Sequence, residues 1–258
     1  MAFIQCDFYS EVLGFSTSMN VILPGDSKVN KPQHKMNYPV LYLLHGLSED
    51  HTIWGRRSSI DRYVRDLNIA VVMPNAGRSF YTDMNAGSNY YTFITEELPS
   101  MVERLFPISS RREDRFIAGL SMGGYGALKI ALSNPDKFAA AASLSGAVDI
   151  MAIANRFTQE DPEGVAREFN HIFGDLDAFT NSPHDLFSLA TTCSTSHPKP
   201  KIYLTCGTED FLYVDNLHFK NHMETLSFDF TYEEESGNHN WDYWDFKIRS
   251  VINWLDIK

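Results

Sequence analysis

Gly119-Leu120-Ser121-Met122-Gly123-Gly124 stands directly between a short apolar run, residues 115–120, and a helical stretch, residues 122–133. No other feature of the chain restricts its fold so strongly. Gly-x-Ser-x-Gly by itself is a weak signal. At a strand-to-helix junction it describes a sharp, strained turn that needs small residues on either side of the serine to close. Gly119 and Gly123 supply that space, and the turn lifts the Ser121 hydroxyl above a sheet, with the next amide at a helix N-terminus.

The rest of the chain can be read around that junction. Residues 3–9 and 13–23 are β-rich and read as a hairpin or meander at a sheet edge. A polar stretch over 24–38 reads as a loop. An alternation follows: strands at 40–45, 69–73, 115–120, 139–145, 201–206 and 228–234, the internal ones short and continuously apolar, as for strands buried on both faces. Between them lie helical patterns at 53–67 (Ile60, Tyr63, Val64 and Leu67 on one face), 93–106, 122–133, 212–226 and 242–255. Pro99 predicts a break or a helix start inside 93–106. This rhythm predicts an α/β fold, a mostly parallel central sheet with helices on both faces. The 258 residues suit one such domain over 1–258. Residues 147–200 are too long for a simple crossover. They predict a cap-like insert whose Phe157, Phe169, Phe173, Phe179 and Phe187 either line the site or pack the insert down.

A serine hydroxyl needs an imidazole to take its proton. Nine histidines compete. In a fold of this kind the chain order is Ser, acid, His, and only His239 lies after the last strand and before the final helix. The acid is expected just past strand 201–206, where Glu209 and Asp210 stand side by side. Asp210 is preferred, with Glu209, Asp242 and Asp245 as rivals. Two backbone amides are expected to hold the oxyanion, those of Met122 and of Leu47 after the first central strand. Gly46 lets that loop turn inward, His45 holds it by hydrogen bonding, and Gly46 and Trp54 are candidate walls of the substrate pocket.

The formal charge of −11 argues against nucleic acid or an anionic membrane as partner. Cys6, Cys193 and Cys206 form neither a disulfide framework nor a zinc pattern, and His218 and His222 lack a third ligand, so neither metal nor organic cofactor is expected. The first residues lack the basic start and apolar run of a signal segment, and no stretch has the length of a spanning helix, so a cytoplasmic location is expected.

Leu44-His45-Gly46-Leu47, Gly119 to Ala127 and Gly207-Thr208-Glu209-Asp210-Phe211-Leu212 together resemble the esterase D family of α/β-hydrolases. That group includes S-formylglutathione hydrolases, bacterial tributyrin esterases and relatives among acetylxylan and feruloyl esterases. The resemblance runs over nearly the whole chain and is nearest to the tributyrin esterases. Leu120 and Tyr125 stand where the S-formylglutathione hydrolases usually carry His, and a longer segment usually precedes the motif found here at 80–83. The resemblance therefore implies a serine carboxylesterase acting on small-molecule acetyl or butyryl esters of alcohols, glycerides or sugars, often as a homo-oligomer. Glutathione thioesters and xylan or feruloyl esters are the alternatives within the chemistry. A non-catalytic binding module on the same fold is the alternative of another class.

Overall fold

The chain is described here from a computed structural model covering residues 1–25, 37–160 and 162–257, without the side chains of 158–160, 162, 163, 165 and 166. Residues 26–36, most of the loop expected over 24–38, lie outside this description. Strands β1 (Ala2–Ser10) and β2 (Phe15–Leu23) form an antiparallel hairpin pairing Ser10 with Phe15. Gly14 closes its turn at φ 78°, a backbone region that L side chains avoid. The alternating exposure of β1 marks it as a sheet edge.

Among the described residues the strands form one eight-stranded sheet in the order β1-β2-β4-β3-β5-β6-β7-β8. β2 meets β4 (Ala70–Pro74) antiparallel. β4, β3 (Val40–Leu44), β5 (Arg115–Leu120), β6 (Ala140–Leu144), β7 (Lys201–Gly207) and β8 (Phe230–Glu235) run parallel. Every residue of β3 to β6 is buried, because both faces are covered. The two-residue period of the strand sorts these side chains into two cores. Val40, Tyr42, Leu44 and Ile117 pack against α5 (Met122–Ser133), which also carries Tyr125 and Leu128 into that core. Leu41, Leu43, Phe116 and Ala118 pack on the other face against α10 (Trp241–Trp254).

The single helix expected over 53–67 is instead two, α1 (Ile53–Arg57) and α2 (Ile60–Tyr63). The break falls at Ser58-Ser59. Ser58 is extended (φ −125°, ψ 170°), its hydroxyl donates to the Trp54 carbonyl (2.6 Å), and the Ser59 amide donates to Asp245 of α10 (2.8 Å). Short polar side chains that compete for the backbone, plus a remote carboxylate, outweigh the helical pattern. Ile60 and Val64 still reach the core as their spacing predicts. α3 (Tyr90–Thr92) runs through a π-helical turn (Phe93–Glu97) into α4 (Leu98–Leu105), and Pro99, which has no N–H to donate back to the preceding turn, stands just past the junction of the two.

Between β6 and β7 the chain builds α6 (Ile150–Glu160), α7 (Pro162–Phe173) and α8 (Leu186–Cys193), while α9 (Tyr213–Glu224) links β7 to β8. The insert's aromatics divide their tasks. Phe173 contacts Phe80 and Phe179 with ring centroids 5.3 and 5.5 Å away, and Phe187 packs edge-on to Phe219 of α9 at 5.2 Å. Phe157 and Phe169 reach the cavity described next.

Candidate active site

The parallel strands end together: Leu44 pairs with Gly119, Leu120 with Leu144, and Leu144 with Thr205. The loops that follow therefore converge on one edge, where ligands of open α/β sheets bind. Ser121 opens α5 directly after β5 with φ 51° and ψ −117°, a strained conformation worth of order 1–3 kcal/mol. Its amide donates to the Leu144 carbonyl (2.9 Å) and its carbonyl accepts from Ala147 (3.1 Å), which anchors the turn on the neighbouring strand. A β-carbon at Gly119 would sit 2.3 Å from the Gly123 carbonyl oxygen, and one at Gly123 would sit 2.6 Å from that of Leu44. Both positions lack room for any side chain.

Asp210 and His239 arrive from the loops after β7 and β8. Those loops are stitched together by Thr208 N–H to Glu235 O (2.9 Å) and Glu209 N–H to Gly237 O (3.1 Å). His239 Nε2 lies 3.0 Å from Ser121 Oγ, and its Nδ1 lies 2.9 and 3.1 Å from the two oxygens of Asp210. A carboxylate only accepts, so Nδ1 carries the proton and Nε2 is left to accept from the serine hydroxyl. The Asp210 side chain is 0% exposed and also accepts the Leu212 amide (2.8 Å). The His239 ring is sandwiched between Phe211, 4.6 Å away, and a perpendicular Trp244 at 4.9 Å.

The rival acids are placed elsewhere. Glu209 accepts from the Gly237 amide and the Thr208 hydroxyl, which hold its carboxyl below the usual range. Asp245 braces α2 through Ser59 and Tyr63, and Asp242 is exposed. Of the paired histidines, His222 bonds to the Phe187 carbonyl (3.0 Å) and holds the insert, while His218 is exposed.

His45 is buried, and burial lowers its pKa to about 4, so it is neutral. Its Nδ1–H donates to the Gly46 carbonyl (2.7 Å), while Nε2 accepts the Ala76 amide (2.9 Å). Glu49, not singled out from the sequence, and Tyr81, from the motif at 80–83, complete this loop. The Glu49 carboxylate accepts the Gly46 amide (2.9 Å) and the Trp241 indole N–H (2.8 Å), tying the loop to the helix that follows His239. The Tyr81 hydroxyl donates to the His45 carbonyl (3.0 Å). The amides of Leu47 and Met122 donate to no acceptor among the described residues.

A cavity of about 250 Å³ opens on Ser121, lined by Leu47, Met122, Phe80, Ile153 and Phe169, with Phe157, Phe211 and Glu168 also on its walls. Two of the expected pocket residues do not line it. Trp54 is 1% exposed, donates its indole N–H to the Leu44 carbonyl (3.0 Å) and stacks edge-on with Trp241 at 5.0 Å. It belongs to the core on the other face of the sheet. Gly46 is turned away with its amide engaged by Glu49. A β-carbon there would meet the Leu120 and Glu49 side chains at 2.8 and 2.9 Å, so glycine gives this loop space. Phe80, named in the sequence only within the motif at 80–83, reaches the wall through two successive non-glycine residues in the left-handed region, Phe80 (φ 49°) and Tyr81 (φ 52°), a bend that no glycine at those positions announces. A second cavity, about 460 Å³, lies at the opposite edge of the sheet beside Pro39, Ala139 and Lys201 and contains none of these residues.

Fold and site together define a serine hydrolase of the α/β-hydrolase class. Residues 10–254 match the family model described as "Putative esterase", and the chain belongs to that family. It is 35% identical over 263 residues to an acetyl esterase of Caldicellulosiruptor saccharolyticus, covering 99% of this chain and 98% of that one. Among solved structures, it is similar to the substrate-bound fluorophosphonate-binding serine hydrolase F of Staphylococcus aureus (36% identity, TM-score 0.89). It is also similar to an S-formylglutathione hydrolase of the same organism (36% identity, TM-score 0.85); both comparisons cover 98% of each chain. A ferulic acid esterase follows at 26% identity and TM-score 0.80, covering 98% of this chain and 96% of that one. The protein is a serine carboxylic ester hydrolase.

Proposed function

We propose that this enzyme hydrolyses short-chain acyl esters, acetyl to butyryl, through a covalent acyl-enzyme. The observation that carries the chain-length reading is the cavity at Ser121. At about 250 Å³ it is smaller than the roughly 300–1,000 Å³ typical of drug-sized sites, and its walls are almost wholly apolar. In this reading Ser121 Oγ attacks the ester carbonyl as His239 Nε2 takes its proton, and the Leu47 and Met122 amides hold the oxyanion. His239 then returns the proton to the leaving alcohol, and the acyl-enzyme is hydrolysed by the same steps with water. Asp210 keeps the Nδ1–H tautomer and stabilises the imidazolium. The distances of 3.0 and 2.9 Å along Ser121, His239 and Asp210 support these roles. The segment 147–200 acts as a cap on a single domain over 1–258, its contribution supported by Ala147, Ile153, Phe157 and Phe169 on the cavity wall. The free thiols of Cys6, Cys193 and Cys206 suit a cytoplasmic enzyme, and tributyrin-type specificity and homo-oligomerisation rest on the family resemblance.

A second reading, S-formylglutathione hydrolysis, is favoured by the similar Staphylococcus aureus structure of that name. The test is hydrolysis of p-nitrophenyl acetate, butyrate and longer esters by the wild type and Ser121→Ala, with S-formylglutathione alongside. Turnover of the short esters, lost by orders of magnitude in the variant, is the expected result. A preference for long or aromatic acids, or for the thioester, overturns the short-chain assignment.

A further inference from the structure

The wall of the cavity over Ser121 is apolar with one ionic exception, Glu168 of α7. Its carboxylate is not free. Arg78, from the loop after β4, donates Nε–H to Oε1 (2.6 Å) and an Nη2–H to Oε2 (3.0 Å), a two-pronged match between planar groups. The two side chains are 53% and 33% exposed, so the pair sits partly in solvent rather than deep in the core. No lysine or arginine lines the cavity among the described residues. The guanidinium that Glu168 holds at this wall is therefore already occupied, and by a group of the same sign as a carboxylate-bearing acyl chain.

We propose that the Arg78–Glu168 pair is a specificity element that restricts the enzyme to uncharged acyl groups. Glu168 repels an acyl chain ending in a carboxylate and engages the guanidinium that would otherwise bind it. The inference rests on the acyl-ester reading above. It makes Arg78 a cryptic anion site: removing the charge of Glu168 while keeping Arg78 unmasks a fork of donors beside an apolar pocket.

The experiment compares kcat/KM for p-nitrophenyl valerate and p-nitrophenyl hemiglutarate, which differ by a terminal methyl against a carboxylate. The wild type prefers valerate. In Glu168→Gln the hemiglutarate-to-valerate ratio rises about tenfold or more, the scale of one hydrogen-bonded charge contact, mainly through KM. The double variant Glu168→Gln/Arg78→Met loses that gain. Valerate hydrolysis by each variant reports that the site is still assembled, and Glu168→Ala repeats the test if glutamine is not tolerated. A ratio that stays at the wild-type value in a variant active on valerate overturns the proposal. So does a gain that survives in the double variant, or loss of valerate hydrolysis in both single variants, which would make the pair structural. Failure of the wild type on p-nitrophenyl butyrate would instead count against the acyl-ester reading; if valerate alone is refused, butyrate and hemisuccinate, which differ in the same way, carry the same comparison.

Discussion

Replacing Asp210 by Asn separates a catalytic from a merely structural role for this buried carboxylate. Asp210 accepts at both oxygens, from His239 Nδ1–H at 2.9 and 3.1 Å and, at Oδ1, from the Leu212 amide at 2.8 Å. The near-isosteric amide can keep only one of these arrangements. If its oxygen stays on the Leu212 amide, its NH2 faces Nδ1, donor against donor. The imidazole escapes by moving its proton to Nε2, where it points at Ser121 Oγ, 3.0 Å away, and can no longer accept the serine proton. If the amide flips, the buried Leu212 N–H loses its acceptor. Loss of an ordinary hydrogen bond costs about 1 kcal/mol, roughly a fivefold effect. Loss of the correct tautomer is expected to lower kcat by about 10⁴-fold, or about 5.5 kcal/mol. The assay is kcat and KM for p-nitrophenyl butyrate, with a thermal melt to show that the fold persists. The neighbouring Glu209→Gln, whose carboxylate only braces two loops, should stay within a few-fold of wild type. A folded Asp210→Asn enzyme within tenfold of wild type would refute the tautomer argument.

Gly123→Ala places a β-carbon 2.6 and 2.7 Å from the Leu44 and His45 carbonyl oxygens, both backbone, so relief requires moving a strand end. It is expected to lose about 1–3 kcal/mol of stability, along with activity, in denaturant titrations and ester assays; wild-type values in both would contradict the close-packed turn. Lys129 of α5 is 3% exposed, with one weak hydrogen bond to the Tyr81 carbonyl (3.4 Å) and the Tyr91 ring 4.9 Å away. Burial lowers its pKa from 10.5 to about 7. Between those values the unfolded chain binds more protons than the folded one, so this group makes stability rise with pH from about 7 to 10.5 and costs most below 7. Lys129→Met should therefore stabilise the protein at pH 6.5 by up to a few kcal/mol and flatten the rise toward pH 9. Parallel urea-denaturation profiles for the two proteins across that window would count against it.

Much of the fold is legible locally. Continuous apolar runs of five or six residues bounded by turns could be little else than buried parallel strands, and they appear as β3 to β6. Helix 53–67 misled because its break depends on Asp245, 186 residues from Ser59. The serine, aspartate and histidine singled out from the sequence meet in space because each follows the end of a parallel strand. That register is a consequence of strand order rather than of any local motif.

What the sequence by itself determined was the set of local commitments: the strained turn at Ser121, the alternation of strand and helix, and the order of Ser121, Asp210 and His239 along the chain. These rest on steric and hydrophobic patterns a few residues long. Tertiary structure alone decided the walls of the cavity. Trp54 went to the opposite core, while Phe80, Ile153, Phe169 and Phe211 came from four separate segments to enclose the space over Ser121. It likewise decided that Glu168 would meet Arg78 across 90 residues. Side-chain contacts at such separations follow from how layers pack, a property of the whole sheet and its helices that no short window of residues contains.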